Sequence, residues 1–336
     1  MRRIIIFLIP LLALVVVNLA LGSVMLPLDQ VWGALVGDDT TPVIAQNIVL
    51  KSRLPQTITA MLAGAGLAVS GLLMQTIFRN PLAGPTVLGI SNGASLGVAL
   101  IVLLNGAIGS QALATIGVRG EMATIVASIM GAIGIMLIII YVSSRVTSTV
   151  TLLVFGVMVG YVANALIGVL KFFSIEEDVR TFVVWGLGSF ARVSPDRLMP
   201  FVYMMAVALV LSIPLAKRLN IMLLGDLYAR NLGLNVRRTR TLAVISSSVL
   251  CAIVTSYCGP IAFLGLAVPH LCRGLFGSSD HRVLLPGCMV VGAALSLLCN
   301  IMARMPGFEG VLPINSVAAL IGAPIVCWVL FKKKNT

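Results

Sequence analysis

The amino-acid sequence predicts an all-α integral membrane protein with about ten transmembrane helices and both termini in the cytoplasm. Hydrophobic residues make up 59% of the chain and charged residues only 10%, whereas a soluble domain carries about 25% charged residues. Because one span needs about 20 apolar residues, a chain of 336 residues leaves no long polar stretch beside its spans. We therefore expect a single transmembrane domain over residues 1–336.

Apolar segments separated by polar turns predict the individual spans. We place them near residues 4–26, 54–78, 87–106, 121–142, 150–173, 199–216, 241–259, 261–272, 285–304 and 314–331. The first apolar run follows Arg2 and Arg3 and is longer than the apolar core of a signal peptide, which favours an uncleaved span over a leader. The eighth span is short, because Pro260 and Pro269 bracket it.

The distribution of charge orients these spans. With both termini in the cytoplasm, that side carries most of the Lys and Arg residues and only two acids, Asp226 and Asp280. This is the asymmetry that the positive-inside rule describes. The basic residues are dispersed over loop ends rather than gathered in one patch, so we expect the lipid bilayer, and no nucleic acid, as a partner.

Small residues recur at every fourth position on either side of a polar hairpin. The two sets are Ala60, Gly64 and Ala68, then Gly89, Gly93 and Gly97. Such spacing forms a smooth stripe on which a second helix backbone approaches closely. The hairpin between them covers residues 79–85 and is too polar for lipid, so it lies at one mouth of the helix bundle.

Several kinds of chemistry are missing from the sequence. No acidic residue lies near the middle of a predicted span, where ion-coupled transporters usually carry one. There is no phosphate-binding loop, and therefore no ATP site of that type. The six cysteines are scattered in apolar segments and predict buried apolar side chains rather than metal ligands. We expect no enzyme activity, no catalytic residue, no metal site and no cofactor bound by this chain.

Neutral polar side chains remain in the Gly-rich spans. They are Gln75, Ser91, Asn92, Ser95, Asn164, Thr255 and Asn300. Each of them alone is explained by a hydrogen bond between helices. Together they favour a wide pathway for a large polar solute of low charge, and the energy source for transport is then another chain.

Four blocks carry a resemblance to a known family. They are RLPQ to GASLG (53–97), the WGLGS turn (185–189), LGDLYARNLGLNVRRTR (224–240), and the run 259–287 with NIMAR (300–304) and LPINSVAALIGAPI (312–325). In this order and at these separations they resemble the FecCD-type permeases of ABC importers, which carry ferric siderophores, haem or cobalamin across the bacterial inner membrane. The resemblance covers most of the chain from Arg53 to Phe331. It implies a second permease copy, two cytoplasmic ATPase subunits that use ATP, and an extracytoplasmic substrate-binding protein.

The resemblance assigns the segment 224–240 to coupling with the ATPase. The residues expected to serve there are Leu224, Gly225, Ala229, Leu232 and Gly233. From its residues alone the segment is a basic loop of helix-forming residues broken at Gly233. The alternative is a loop that only faces anionic lipid.

The resemblance also assigns Arg53 and Arg304 to docking of the binding protein. Gln56 stands where many members have a second Arg. Asn300 stands where members usually have Asp, so an ion pair within the ninth span is replaced by a hydrogen bond at most. The alternative for each Arg is a side chain that snorkels to the membrane interface.

The family's inner constriction corresponds here to Asn80 and Leu82 with Thr149 and Val150. Pro81 and Pro85 stiffen this hairpin, which suits a gate that moves as a unit; the alternative is a simple tight turn. Gln75 and Asn92 are expected along the translocation pathway.

The leading function is therefore the permease subunit of an ABC importer for a bulky metal chelate. An ion-coupled secondary transporter and a membrane protein without transport activity are the alternatives. The expected substrate is a ferric siderophore first, cobalamin close behind and haem third. Whether the second permease copy is identical or a related chain stays open.

Overall fold

The computed structural model describes residues 2–22, 24–104, 120–146, 148–305 and 310–334, and every regular element in these ranges is helical. The α-helices are α1 (Arg2–Ala20), α2 (Leu28–Val36), α3 (Val43–Asn47), α4 (Leu54–Phe78), α5 (Ile90–Val102), α6 (Glu121–Arg145), α7 (Thr149–Phe173), α8 (Glu176–Gly186), α9 (Pro195–Ser212), α10 (Leu215–Leu223), α11 (Asp226–Asn231), α12 (Val236–Cys258), α13 (Leu264–Phe276), α14 (His281–Ala303) and α15 (Ile314–Lys334). A π-helical segment (Ile48–Arg53) joins α3 to α4, and 3-10 turns occupy Pro85–Leu88 and Phe190–Arg192. The all-α fold class is thus confirmed.

Within the residues that the structure describes, six helical segments are long and apolar enough to cross a membrane. They are Val43–Phe78, Glu121–Ser143, Thr149–Phe173, Pro195–Ser212, Val236–Cys258 and His281–Ala303. Shorter apolar helices at Ile6–Ala20, Ile90–Val102, Leu264–Phe276 and Ile314–Cys327 lie within or across the other four predicted spans. The count of ten spans and the side of the termini stay predictions. Residues 105–106, at the end of the third predicted span, lie outside the described residues.

The described chain forms two compact units. Unit 1 comprises residues 1–69, 189–210 and 261–336, and unit 2 comprises residues 70–188 and 211–260. This division does not test whether the chain is a single transmembrane domain, which stays a prediction.

Close backbone contact between helices characterises unit 1. α1 and α13 pack on α14, and α15 packs on α13 and α14. Where α4 meets α14, a Cβ added at Gly292 would lie 2.5 Å from the carbonyl oxygen of Gly64 and 2.7 Å from the Cβ of Ala68. Side chains larger than hydrogen therefore do not fit there, and the predicted close approach along the small-residue stripe is confirmed at Gly64 and Ala68.

Close backbone contact at glycines also joins α5 and α6 in unit 2. A Cβ added at Gly93 would lie 2.6 Å from the carbonyl oxygen of Gly131, and one at Gly97 would meet the carbonyl group of Ala127. Polar side chains also join helices in this unit: the Ser91 hydroxyl lies 3.3 Å from the Thr255 hydroxyl on α12. Ser91 and Thr255 therefore form a hydrogen bond between helices, which is the alternative to a place on the pathway.

Five of the cysteines are buried as free thiols, as predicted, whereas Cys327 is exposed. Within the described residues, no group of three or more His, Cys, Asp and Glu side chains is placed to hold a metal ion.

Candidate functional site

The segment 224–240 folds into a short helix followed by the start of a long one. Gly225 (φ +107°) precedes α11, and Gly233 (φ +80°) follows it. The Gly233 N–H donates to the Arg230 carbonyl at 2.9 Å and the Leu234 N–H donates to the Ala229 carbonyl at 3.0 Å. These two bonds form a Schellman motif, in which a left-handed residue after the helix satisfies its last carbonyl groups. The break predicted at Gly233 therefore ends α11.

The outer surface of α11 presents large apolar side chains. Leu227 is 76% exposed, Tyr228 69% and Leu232 62%, while Ala229 is fully buried beneath them. A cluster of exposed apolar side chains on one short helix is typical of a protein-binding surface. Ala229, also predicted to serve in coupling, is covered on this helix, and the coupling role of the predicted residues stays a prediction. Leu227 and Tyr228 were not among the predicted residues, because sequence alone did not show which face of so short a helix is covered.

An acidic side chain at the start of α11 joins two arginines from distant parts of unit 2. Asp226 Oδ1 accepts a hydrogen bond from Arg79 Nη2 at 2.5 Å, and Asp226 Oδ2 accepts one from Arg240 Nη2 at 3.3 Å. Arg79 Nη2 also lies 3.2 Å from the carbonyl oxygen of Met222, the last residue but one of α10. We call these three charged residues, Arg79, Asp226 and Arg240, the inner charge cluster. Sequence reasoning did not identify it.

The predicted gate hairpin follows α4 directly. Arg79 takes a left-handed conformation (φ +45°) that reverses the chain after Phe78. Asn80 Oδ1 then accepts from the Leu82 N–H at 2.9 Å, and the Asn80 carbonyl accepts from the Ala83 N–H at 3.0 Å. The hairpin is thus a tight Asx-type turn, with the Leu82 side chain half exposed at its tip.

The loop predicted to oppose this hairpin is the start of α7. Ser148 caps the helix, because its hydroxyl accepts from the Thr151 N–H at 3.3 Å, and Val150 is exposed. α7 packs on the 3-10 turn that follows the hairpin, where a Cβ added at Gly156 would lie 2.9 Å from the Cα of Leu88. The structure therefore brings α7 and the chain after the hairpin together, about two turns along α7 from Thr149.

The two predicted pathway residues lie inside unit 2. Gln75 is buried on the last part of α4. Asn92, on α5, is partly buried, and its amide nitrogen would lie 2.6 Å from a Cβ added at Gly160 of α7. The absence of a side chain at Gly160 leaves the space that the Asn92 amide occupies.

Arg53 lies at the end of the π-helical segment, in unit 1, and is buried. Its guanidinium donates to the carbonyl oxygens of Leu19 and Ala20, both at 2.7 Å, and to that of Val24. The last carbonyl groups of a helix have no partner within the helix and carry partial negative charge. Arg53 therefore caps the C-terminus of α1. A π-helical segment is often found at a functional position. Arg53 is the last residue of this one.

Arg304 lies directly after α14 in the same unit, in a network of neutral amides. It donates to Gln56 Oε1 at 2.8 Å and to Asn18 Oδ1 at 3.0 Å. The Asn300 amide nitrogen donates to Asn18 Oδ1 at 2.8 Å, and its oxygen accepts from Gln56 Nε2 at 3.1 Å. Both departures from the family pattern, Gln56 and Asn300, thus belong to one network, and Asn18 was missed.

Arg53 and Arg304 are only 4% and 9% exposed. A carboxylate of a docking partner reaches them only if they give up their present acceptors. Their role in docking stays a prediction.

Comparison with known proteins gives one consistent result. The model of the FecCD transport family matches residues 10–332. The vitamin B12 import system permease protein BtuC of Klebsiella pneumoniae subsp. pneumoniae is 37% identical over 290 residues, which cover 86% of this chain and 84% of that protein. BtuC of Escherichia coli O9:H4 is 37% identical over 301 residues, which cover 89% and 88%.

Two solved structures are similar as well. An inward-facing metal-chelate type ABC transporter has 28% sequence identity and a TM-score of 0.85, over 98% of this chain and 99% of that chain. A chain of PsaBC from Streptococcus pneumoniae in complex with Fab has 18% identity and a TM-score of 0.55, over 90% and 94%, and so shares the fold. Because the family model and these relatives extend over nearly the whole chain, the chain belongs to the FecCD transport family.

Proposed function

We propose that this chain is the membrane-spanning permease subunit of an ABC importer, which moves a bulky metal chelate across the bacterial inner membrane. The observation that carries the proposal is α11, a short helix bounded by two glycines of positive φ that exposes Leu227, Tyr228 and Leu232. A transporter driven by an ion gradient has no need of such a surface. A permease that receives its energy from a separate ATPase requires one.

The exposed face of α11 is the proposed contact with that ATPase. Leu224 extends the apolar surface on the N-terminal side of α11 and is 59% exposed. Gly225 and Gly233 set the limits of the helix, so its orientation depends on their backbone conformation. Two ATPase subunits, one for each permease copy, use the ATP.

The tip of the hairpin at Asn80 and Leu82, with Thr149 and Val150, is the proposed gate. The Asx turn and the prolines on either side of Leu82 keep the hairpin rigid. Leu88 packs against Gly156 with no side chain between the two backbones, so a small shift of α7 moves the chain that follows the hairpin with it.

The proposed substrate is a corrinoid-sized metal chelate, with cobalamin placed ahead of ferric siderophores and haem. The relatives named for vitamin B12 import support this order, which reverses the one expected from the sequence. An extracytoplasmic binding protein delivers the chelate to the permease dimer.

Reconstitution tests this function. The tagged chain is purified with the ATPase that accompanies it from its native membrane, and the complex is placed in proteoliposomes with the binding protein. We expect cyanocobalamin uptake that requires ATP and magnesium, and that falls when Leu227→Asp removes the apolar contact. Arg218→Gln changes an exposed side chain on α10 and serves as the control variant, for which we expect normal uptake. Uptake of any chelate driven by a proton or sodium gradient without an ATPase contradicts the proposal.

A further inference from the structure

The inner charge cluster connects three separate elements of unit 2. Arg79 and Asp226 are separated by 147 residues, and Asp226 and Arg240 by 14. Arg79 begins the hairpin after α4, Asp226 begins α11, and Arg240 lies in the second turn of α12. One carboxylate therefore holds the proposed gate hairpin and the proposed ATPase-binding helix to each other.

The geometry of Arg79 makes this more than an incidental surface ion pair. Its left-handed backbone is unfavourable for a residue with a side chain, and so is maintained by its surroundings. The same guanidinium also donates to the Met222 carbonyl, so it is held at two points, by α10 and by α11. The backbone that reverses the chain into the hairpin is thus fixed by the side chain that binds Asp226.

The other end of the cluster is anchored. The Arg240 side chain is 8% exposed, whereas those of Asp226 and Arg79 are 37% and 51% exposed. The buried cation on the long helix α12 contacts one carboxylate oxygen at 3.3 Å, which leaves the other oxygen bound to Arg79. This second contact is the shorter one, at 2.5 Å, and it connects α11 to the hairpin.

We propose that Asp226 is a positioning residue that transmits movement of α11 to the hairpin at residues 79–85. When a bound ATPase displaces α11, the carboxylate moves with the helix and draws the Arg79 guanidinium, and hence the hairpin backbone, in the same direction. Without the carboxylate, α11 moves but the hairpin does not follow. This inference rests on the proposed function, because it assigns to α11 and the hairpin the roles given above.

The test measures coupling rather than assembly. In the reconstituted complex, Asp226→Asn keeps the size of the side chain and removes its charge. We expect ATP hydrolysis within about twofold of the parent complex and import reduced about tenfold, so that more ATP is used for each substrate imported. Asp226→Glu, which restores the carboxylate, recovers most of the import. Arg79→Gln has the same effect as Asp226→Asn, and the double variant has no additional effect, since both changes remove one interaction.

Arg218→Gln is the matched control, because it removes an exposed arginine from α10 without touching the cluster. Unchanged ATP used per substrate in Asp226→Asn overturns the inference while leaving the proposed function intact. A parallel fall in complex yield and hydrolysis, not relieved by Asp226→Glu, also overturns it, because the cluster then only stabilises the fold. Failure of the parent complex to import with ATP would instead overturn the proposed function.

Discussion

Each unit holds a pair of arginines near helix ends, and the two pairs are satisfied by different chemistry. In unit 1, Arg53 and Arg304 donate to backbone carbonyl and neutral amide oxygens and are almost fully buried. In unit 2, Arg79 and Arg240 share the carboxylate of Asp226, and Arg79 is half exposed. Neutral acceptors arranged around a buried cation favour a fixed structure, whereas a partly exposed ion pair can move together with the two elements that it joins.

The difference follows from the cost of burying charge. A cation removed from water without a counterion is expensive unless several acceptors replace its hydration shell. Arg53 meets that need with the carbonyl oxygens of Leu19 and Ala20 at the end of α1 and with that of Val24 beyond it. Removing this arginine takes the guanidinium donor away from the buried Leu19 carbonyl. Removing Arg79 from the half-exposed pair leaves Asp226 partly exposed and still paired with Arg240.

The largest effect on stability is expected from Arg53→Ala. The change removes the guanidinium donor from the carbonyl groups of Leu19 and Val24 and leaves that of Ala20 with the Leu26 N–H alone, at a cost of about 2–5 kcal/mol. We expect a markedly lower unfolding temperature for the detergent-solubilised protein and weaker attachment of α1. The measurement is a thermal unfolding scan at one fixed heating rate, since membrane proteins often unfold irreversibly.

Lys51→Ala is the control for that experiment, because Lys51 is an exposed cation in the same π-helical segment. Its effect should stay below about 0.5 kcal/mol. Equal losses in the two variants would show that Arg53 contributes only its charge, and the contrast between the two units would fail.

A smaller loss is expected from Arg304→Gln. Gln reaches fewer of the acceptors: Gln56 Oε1 loses the Arg304 donor and Asn18 Oδ1 keeps only that of Asn300, which costs about 1–3 kcal/mol. If the arginine also docks the binding protein, affinity for that protein falls in Arg304→Gln. If it only orders this end of α14, the affinity of correctly folded complexes is unchanged. Titration of the binding protein against purified complexes that have passed a thermal-stability check separates the two roles.

The sequence predicted the helices better than the contacts of their charged side chains. Hydropathy located the helical segments, because the membrane requires each span to satisfy its own backbone hydrogen bonds. The end of the first span was wrong in part: α1 ends at Ala20, not near residue 26, and Arg53 caps it there. Nothing in the sequence joins Arg53 to that helix end.

The missed site residues share one physical cause. Asn18 and Arg304 are 286 residues apart, and Asp226 and Arg79 are 147 apart. Such pairs are created by tertiary packing, and a lone Asn or Asp at a helix end has an adequate local explanation as a cap or a hydrogen bond between helices. The burial of Ala229 was not foreseen for a related reason, because a helix of 6 residues is too short for a periodic pattern to show its buried side.

The smallest effect on stability, and the one that most sharply separates the two units, is expected from Arg79→Gln. Exposed ion pairs contribute about 0–1 kcal/mol, and both side chains of the Arg79–Asp226 pair are partly exposed. Asp226 keeps Arg240 as its partner in this variant, so no buried charge loses its counterion. We therefore expect the unfolding temperature of Arg79→Gln to lie slightly below that of the parent protein at low ionic strength. The difference should vanish near 1 M salt, where the Debye length is only about 3 Å. Arg53→Ala should keep its full deficit at both salt concentrations, since its lost bonds are to neutral carbonyl oxygens. Thermal scans of the three proteins across a salt series measure this directly. If the Arg79→Gln deficit is large and independent of salt, Arg79 is part of the rigid core of unit 2 in the same way as Arg53 is of unit 1, and the two clusters do not differ in kind.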